Sequence, residues 1–334
     1  MFPLLFLCTS AKLGIPNEKE WISKPETIII RLEKERGKYF MENETKKQKI
    51  LLTGGKGFFA SRLAGYYRDR YEFAVLGKED LDITDEKAVL DCVGSFRPDI
   101  IVHTGAVAVT NFCNEHPDIA HRINVEGSVN MARAAQQNKS KLVFLSSEQV
   151  FNGNTNGGPF KEEDAAVPNT VYGENKLEAE GLLKDMLEEL WTVRFTWMFG
   201  LPEYGKRMSN GILWDTITKL MRQEKIVASR HEFRGMGYIQ ETVENFQKLF
   251  ESPFGTYHMG ATNNHSRYEI VEHILELMGM GDRLPELLEE DTVHYLEHNR
   301  DVRLDTAKAR EAGMVWTDTW DAVEKCLKDF GVIR

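Results

Sequence analysis

Lys49-Ile50-Leu51-Leu52-Thr53-Gly54-Gly55-Lys56-Gly57-Phe58-Phe59-Ala60 decides how the chain is read. A short apolar run with no alternation predicts a buried strand, and Gly54, Gly57 and Ala60 follow it at GxxGxxA spacing. Small residues there let backbone approach a pyrophosphate, which sits on the amides of the helix that opens at Phe58 and Phe59. Gly54, Gly57, Phe58 and Phe59 are therefore candidate dinucleotide contacts.

Outward from this turn the chain alternates short apolar runs with longer amphipathic ones. Strands are predicted at 49–53, 72–76, 99–103, 141–145 and 191–196, and helices at 58–70, 85–95, 117–137 and 171–188. The fold class is α/β, a doubly wound parallel sheet of Rossmann type. After Gly200 the rhythm loosens into helices near 210–223, 241–251, 267–279 and 319–330, with one short strand near 226–229. The expected division is an extension at 1–47, a dinucleotide-binding domain at 48–200, and a smaller, mainly substrate-binding lobe at 201–334 with segments crossing between lobes. Met1-Phe2-Pro3-Leu4-Leu5-Phe6-Leu7-Cys8 lacks a basic start and is far shorter than the about 20 residues of a membrane span. Met41 is the expected natural start, the alternative being a loosely attached extension.

The 334 residues carry a formal net charge of -10, which argues against a nucleic-acid surface. A cytoplasmic protein with no membrane or nucleic-acid partner is expected. Cys8, Cys92, Cys113 and Cys326 are scattered, and neither they nor the nine histidines fall at metal-ligand spacing. No metal is expected.

Chemistry enters with Val171-Tyr172-Gly173-Glu174-Asn175-Lys176. Tyr172 and Lys176, four apart on a predicted helix, share one face. A phenol with a free pKa of about 10 exchanges protons poorly at neutral pH, and an adjacent ammonium is expected to lower it. Ser147, just past the apolar strand Leu142-Val143-Phe144-Leu145, supplies a hydroxyl at the sheet edge where ligands bind. The trio suits reduction of a carbonyl, with Ser147 holding its oxygen, Tyr172 moving the proton and Lys176 holding the nicotinamide ribose. Where a site for NADH would carry an acid, the chain reads Val75-Leu76-Gly77-Lys78. Lys78, with Lys56, favours the 2'-phosphate of NADPH, with NADH the alternative.

These residues resemble the extended short-chain dehydrogenase/reductases, and within them the RmlD-like sugar-nucleotide reductases that act on dTDP-4-dehydrorhamnose. The likeness spans about 48–332 and is carried by Lys49 to Ala60, Leu81-Asp82-Ile83-Thr84-Asp85, Ile123-Asn124-Val125-Glu126-Gly127, Ser146-Ser147-Glu148-Gln149-Val150-Phe151-Asn152-Gly153, Val171 to Lys176, and Arg194-Phe195-Thr196-Trp197-Met198-Phe199-Gly200. It implies that Asp82 and Ile83 flank the adenine, that Gly105 and Ala106 meet the cofactor's phosphate and ribose, and that Asn124 belongs to the active-site helix. It also implies Ser147, Tyr172 and Lys176 as the catalytic triad, and Glu148, Gln149, Trp197 and Arg234 at a nucleotide-sugar substrate. A homodimer is left open.

Departures concern the substrate. Ser-Thr-Asp-Tyr in the family pattern appears as Ser146-Ser147-Glu148-Gln149, and Gln149 cannot serve as the acid of the related dehydratases. The family's Asp-Gln-x-Gly-Ser-Pro-Thr segment is replaced by His231-Glu232-Phe233-Arg234-Gly235-Met236-Gly237-Tyr238. Arg234, Arg300 and Arg303 are candidates to grip a diphosphate or, equally, to form ion pairs. Three readings follow: a reductase of a nucleotide-linked 4-keto-6-deoxy sugar, the same chemistry on another ketone, or a regulatory subunit resembling the beta subunit of methionine adenosyltransferase.

Overall fold

Six parallel strands form the centre of the protein: β1 (Lys49–Thr53), β2 (Glu72–Leu76), β3 (Ile100–His103), β4 (Lys141–Ser147), β5 (Leu190–Phe195) and, far downstream, β10 (Gly255–Met259). The computed structural model describes residues 47–334, so the expectations for the opening of the chain, Met41 among them, lie outside the described residues. Strand order is β10-β5-β4-β3-β1-β2, which reverses direction at β1. Ligands of such sheets bind at the carboxyl ends of the strands flanking that reversal, here β1 and β3.

Alternate residues of each strand enter different cores, as the two-residue period requires. Ile50, Leu52, Ile100, Val102 and Val143 pack on one face, with Phe59 and Leu63 of α1 (Phe58–Tyr66). Leu51, Ile101, Leu142 and Phe144 pack on the other, with Val89 and Val93 of α2 (Glu86–Phe96) and Met131 and Ala135 of a later helix. Burial on both faces explains the unbroken apolar runs.

The single helix expected at 117–137 is interrupted. After α3 (Thr110–Glu115) come α4 (Pro117–His121), a π-helical stretch at Arg122–Glu126, and α5 (Gly127–Asn138). The wider turn carries the fully buried Asn124, whose amide accepts from Val107 N at 2.8 Å and donates to Val107 O at 3.0 Å. Periodicity alone cannot reveal such a break.

Helix α6 (Val171–Met186) starts where Thr170 accepts from the Gly173 amide at 3.1 Å. A Cβ on Gly173 would lie 2.6 Å from Gln149 O, so only glycine lets this helix press against the turn after β4.

Beyond β5 the chain makes three two-stranded parallel pairs. β6 (Trp197–Phe199) joins β9 (Met236–Tyr238), β7 (Ile226–Ala228) joins β11 (Leu288–Glu290), and β8 (Glu232–Phe233) joins β12 (Arg300–Asp301). Helices α7 (Ile212–Met221), α8 (Ile239–Leu249), α9 (Arg267–Leu277) and α10 (Thr319–Asp329) lie near their expected positions. Strand β10 was not expected: Thr256, Tyr257 and His258 between Pro253 and Gly260 make no apolar run, yet the strand pairs with β5 along its length. Phe246 of α8 packs on Phe59 at 5.0 Å and Phe195 at 6.4 Å, fastening this later part to the sheet.

Beneath the reversal, polar side chains are fully satisfied. Thr53 Oγ1 accepts from the amides of Thr104 and Gly105 and lies 2.8 Å from His103 Nδ1. His103 Nε2 lies 3.1 Å from Ser128 Oγ, which donates to Asn124 O at 2.7 Å. Because Ser128 spends its proton on Asn124, His103 must carry hydrogen on Nε2 and accept from Thr53, the neutral tautomer. Burial holds this imidazole down to about 3, and does the same to His258 on β10.

Two outcomes follow. Phe246→Ala should cost about 3–5 kcal/mol of unfolding free energy in urea titration, whereas Val315→Ala on the surface should stay within about 0.5 kcal/mol. Both depressed histidines bind protons only when unfolded between pH about 6.5 and about 3, so their stabilisation is complete above that window and falls with pH. Each should remove up to about 1.4 kcal/mol per pH unit. A His103→Gln variant should show a shallower acid slope in unfolding measured between pH 7 and 4.5; an unchanged slope would remove His103 from the account.

Candidate active site

A cleft of about 1020 Å³ runs along the carboxyl ends of β1, β3 and β4. At one end it is walled by the glycine turn, Leu76 to Glu79 and Asp82 to Thr84; in the middle by Thr104 to Val109, Leu145 to Gln149, Tyr172 and Lys176; at the far end by Phe195 to Met198, Arg207 to Asn210 and Arg234.

The glycine turn at the first end packs tightly against the residues that follow β3. Gly54 has φ +66, and a Cβ there would lie 2.6 Å from Thr104 Oγ1 and 3.0 Å from Gly105 N. Helix α1 opens at Phe58 with no acidic residue in its first turn, leaving its amides and positive dipole end unopposed. Phe58, Phe59, Gly57, Gly105, Ala106, Ile83 and Asp82 all line the cleft. Lys78 lines it too and is exposed, while Lys56 forms an ion pair with Glu79. Asp82 accepts from Thr84 N at 2.9 Å and Thr84 Oγ1 at 2.8 Å, and these bonds hold its carboxyl below the usual range, with Lys78 and Arg122 adding to the effect.

Two elements bring the candidate trio together. Ser147 ends β4 and its Oγ accepts from Gln149 N at 3.2 Å; Tyr172 and Lys176 stand one turn apart on α6. Lys176 is 3% exposed and Tyr172 8%. Lys176 Nζ donates to Leu145 O at 2.8 Å and lies 4.7 Å from the Phe144 ring and 5.8 Å from the Tyr172 ring. Burial lowers this ammonium to about 8, against the pull of Glu180 and Cys113.

One expectation is corrected here. Lys176 does not lower the Tyr172 phenol: burial pushes it up well above the ordinary value, Cys113 and Glu148 push the same way, and the Ser147 hydroxyl opposes them. One of the ammonium's three hydrogens goes to Leu145 O and none reaches the phenol, so loss of hydration outweighs distant attraction. The phenol is thereby held protonated.

Farther along, Glu148, Gln149, Trp197 and Arg234 line the cleft as expected. Glu148 is 2% exposed and is paired with Arg234, whose guanidinium lies 4.7 Å from the Trp197 ring. Arg300 bonds Glu232 at 2.5 Å and Asn152 at 2.8 Å, and Arg303 bonds Asp301 at 2.7 and 2.9 Å. Of the two roles open to these three arginines, the ion-pair role is the one seen. Asn124 differs from its fellow candidates: it lies behind the wall, holding Val107. Arg207 to Asn210 and Arg122 were not singled out from the sequence, since nothing periodic or motif-like marks them; both line the cleft. Among the described residues, no group of His, Cys, Asp and Glu could hold a metal, and no helix is long and apolar enough to cross a membrane.

Comparison with known proteins agrees with this architecture. The spore coat polysaccharide biosynthesis protein SpsK of Bacillus subtilis is 30% identical over 235 residues, 70% of this chain and 80% of its own. The methionine adenosyltransferase 2 subunit beta of Bos taurus is 23% identical over 284 residues, 80% of this chain and 83% of its own. A crystal structure of dTDP-4-dehydrorhamnose reductase from Bacillus anthracis in complex with NADP superposes with a TM-score of 0.75 at 23% identity, covering 85% of this chain and 99% of that one. The family model described as the RmlD substrate binding domain matches residues 48–332, nearly the whole of the described chain, and the chain belongs to that family.

Proposed function

We propose that the protein reduces a ketone with NADPH, NADH being the alternative, and that the ketone is a nucleotide-linked 4-keto-6-deoxy sugar. The observation that carries this is the meeting of Ser147, Tyr172 and Lys176 on one wall of a cleft that begins at the glycine turn. The chain fits a dinucleotide: Gly54, Gly57, Phe58 and Phe59 line the cleft, and the first turn of α1 carries no acid to compete with a phosphate for its amides. Lys78 would meet a 2'-phosphate, since the neighbouring Glu79 is occupied by Lys56. When bound, the reduced cofactor supplies the hydride that the carbonyl carbon accepts.

The rest is the work of the protein's own groups. Ser147 Oγ donates to the carbonyl oxygen and orients it. As negative charge grows on that oxygen, the Tyr172 hydroxyl gives up its proton, leaving an alcohol and a phenolate. Lys176, one turn away, would hold the nicotinamide ribose and bring a positive charge near the phenolate as it forms, a pull that burial outweighs in the resting site. A phenol held protonated by burial has the proton in place at neutral pH for the growing alkoxide to take. Residues 201–334 form most of the substrate side in this reading, and the protein acts in the cytoplasm on a small molecule. The B. subtilis relative, a polysaccharide biosynthesis protein, supports a sugar substrate.

A regulatory subunit is the second reading, favoured by the 80% of the chain that aligns with the methionine adenosyltransferase beta subunit. Reduced-nicotinamide absorbance with dTDP-4-dehydrorhamnose separates the two: steady oxidation supports the reductase, and tight cofactor binding without turnover on any ketone supports the subunit.

Tyr172→Phe should lower kcat by about 10²–10⁴ with NADPH affinity retained; turnover near that of the parent would sink the donor role. Lys176, lowered to about 8, is charged below that pH and neutral above it. Reduction should therefore be level near pH 7 and fall as pH rises through about 8, and a profile flat to pH 9.5 would exclude lysine from the step.

A further inference from the structure

Of the three arginines singled out from the sequence only Arg234 lines the far end of the cleft, and all three are neutralised within the protein. Arg234 is committed to Glu148, Arg300 to Glu232 and Asn152, and Arg303 to Asp301. A desolvated guanidinium already paired with a carboxylate gains little from a second anion, because the new contact is offset by loss of the old one. Arg207 is different. It lines the cleft, is exposed, and among the described residues its guanidinium has no hydrogen-bond or ion-pair partner.

What holds Arg207 in place is a second arginine. Its carbonyl accepts from Arg62 Nη1 at 3.1 Å, and the same nitrogen donates to Phe58 O at 2.9 Å. Arg62 Nε donates to Glu203 Oε1 at 2.6 Å, while Lys206 takes the other oxygen of Glu203 at 2.6 Å. Arg62 is 2% exposed and stacks on the Phe58 ring at 4.2 Å. One buried cation therefore moors the segment 203–207 to α1, the helix whose first turn faces the dinucleotide end. Arg62 Nη2 is buried without a hydrogen-bond partner among the described residues. An orphaned donor of that kind costs about 1–3 kcal/mol, so this anchorage opposes a real penalty.

We infer that Arg207 takes the diphosphate of a nucleotide-linked substrate and that Arg62 is the positioning residue that holds it over the cleft; this rests on the reductase reading above. A planar guanidinium with all its donors free matches a diphosphate, as the three paired arginines do not. Tying the segment to α1 also keeps the anion site at a fixed distance from the reacting trio.

The test uses the full chain saturated with NADPH and dTDP as probe, by calorimetry, alongside kinetics with dTDP-4-dehydrorhamnose. Wild-type protein should bind dTDP. Arg207→Ala should weaken dTDP about tenfold or more, the effect of losing one charge-assisted contact, with NADPH affinity unchanged. Arg62→Met should raise KM more than it lowers kcat, and Arg62→Lys, which keeps a cation for Glu203, should recover part of the loss. Unchanged dTDP affinity in Arg207→Ala would overturn the inference, and this exposed substitution tests it even where Arg62→Met fails to fold. Loss of NADPH affinity in step with dTDP would reduce Arg62 to a prop for α1. A wild-type protein that reduces another ketone but does not bind dTDP would end this inference and leave the reductase standing. Arg207-dependent binding of dTDP with no ketone reduced would do the reverse.

Discussion

The hydroxyl of Thr53 is the contact on which the cleft depends. It sits where the strand order reverses, receives the amides of Thr104 and Gly105, and gives its proton to His103. Every hydrogen-bonding valence of the oxygen is then in use. Through His103 and Ser128 the same chain reaches Asn124, which grips Val107 on the cleft wall. The glycine turn and the wall opposite it are thus set by one uninterrupted line of buried polar groups. A protonated imidazole would put two hydrogens between His103 and Thr53 and break it, which is the physical reason the site is tied to a neutral histidine.

Much of this was legible along the chain because it is local. Lys49 to Ala60 forms a strand, a turn and a helix within twelve residues, and Tyr172 and Lys176 face one way because a helix repeats every 3.6 residues. What stayed hidden is what distance in sequence conceals. Glu148 and Arg234 are 86 residues apart, and Arg62 and Arg207 are 145 apart. No period or motif joins such residues; only the fold does. The edge strand β10 was missed for a related reason, since its polar and aromatic mixture becomes a strand only by pairing with β5.

Burial acts in opposite directions on Tyr172 and Lys176. It raises the phenol and lowers the ammonium, so two groups of nearly equal ordinary proton affinity are driven apart, with no direct bond between them in this structure. Electrostatic attraction, the explanation first suggested by the spacing of Tyr172 and Lys176, is secondary to the loss of water. The paired acids and arginines beyond Trp197 carry the same lesson, because a desolvated charge is answered first by its neighbours in the protein.

Strand β10 also has a meaning for synthesis. It completes the sheet from a position some sixty residues after β5, so a nascent chain ending near Gly200 would carry β5 with its outer backbone groups unmatched, and Trp191 and Phe195 without Tyr257, Phe246 and Phe250 to cover them. An unpaired hydrophobic edge of this kind invites association with other chains. The strands before Gly200 therefore do not complete their sheet alone: the later segment must be made before the edge at β5 is covered.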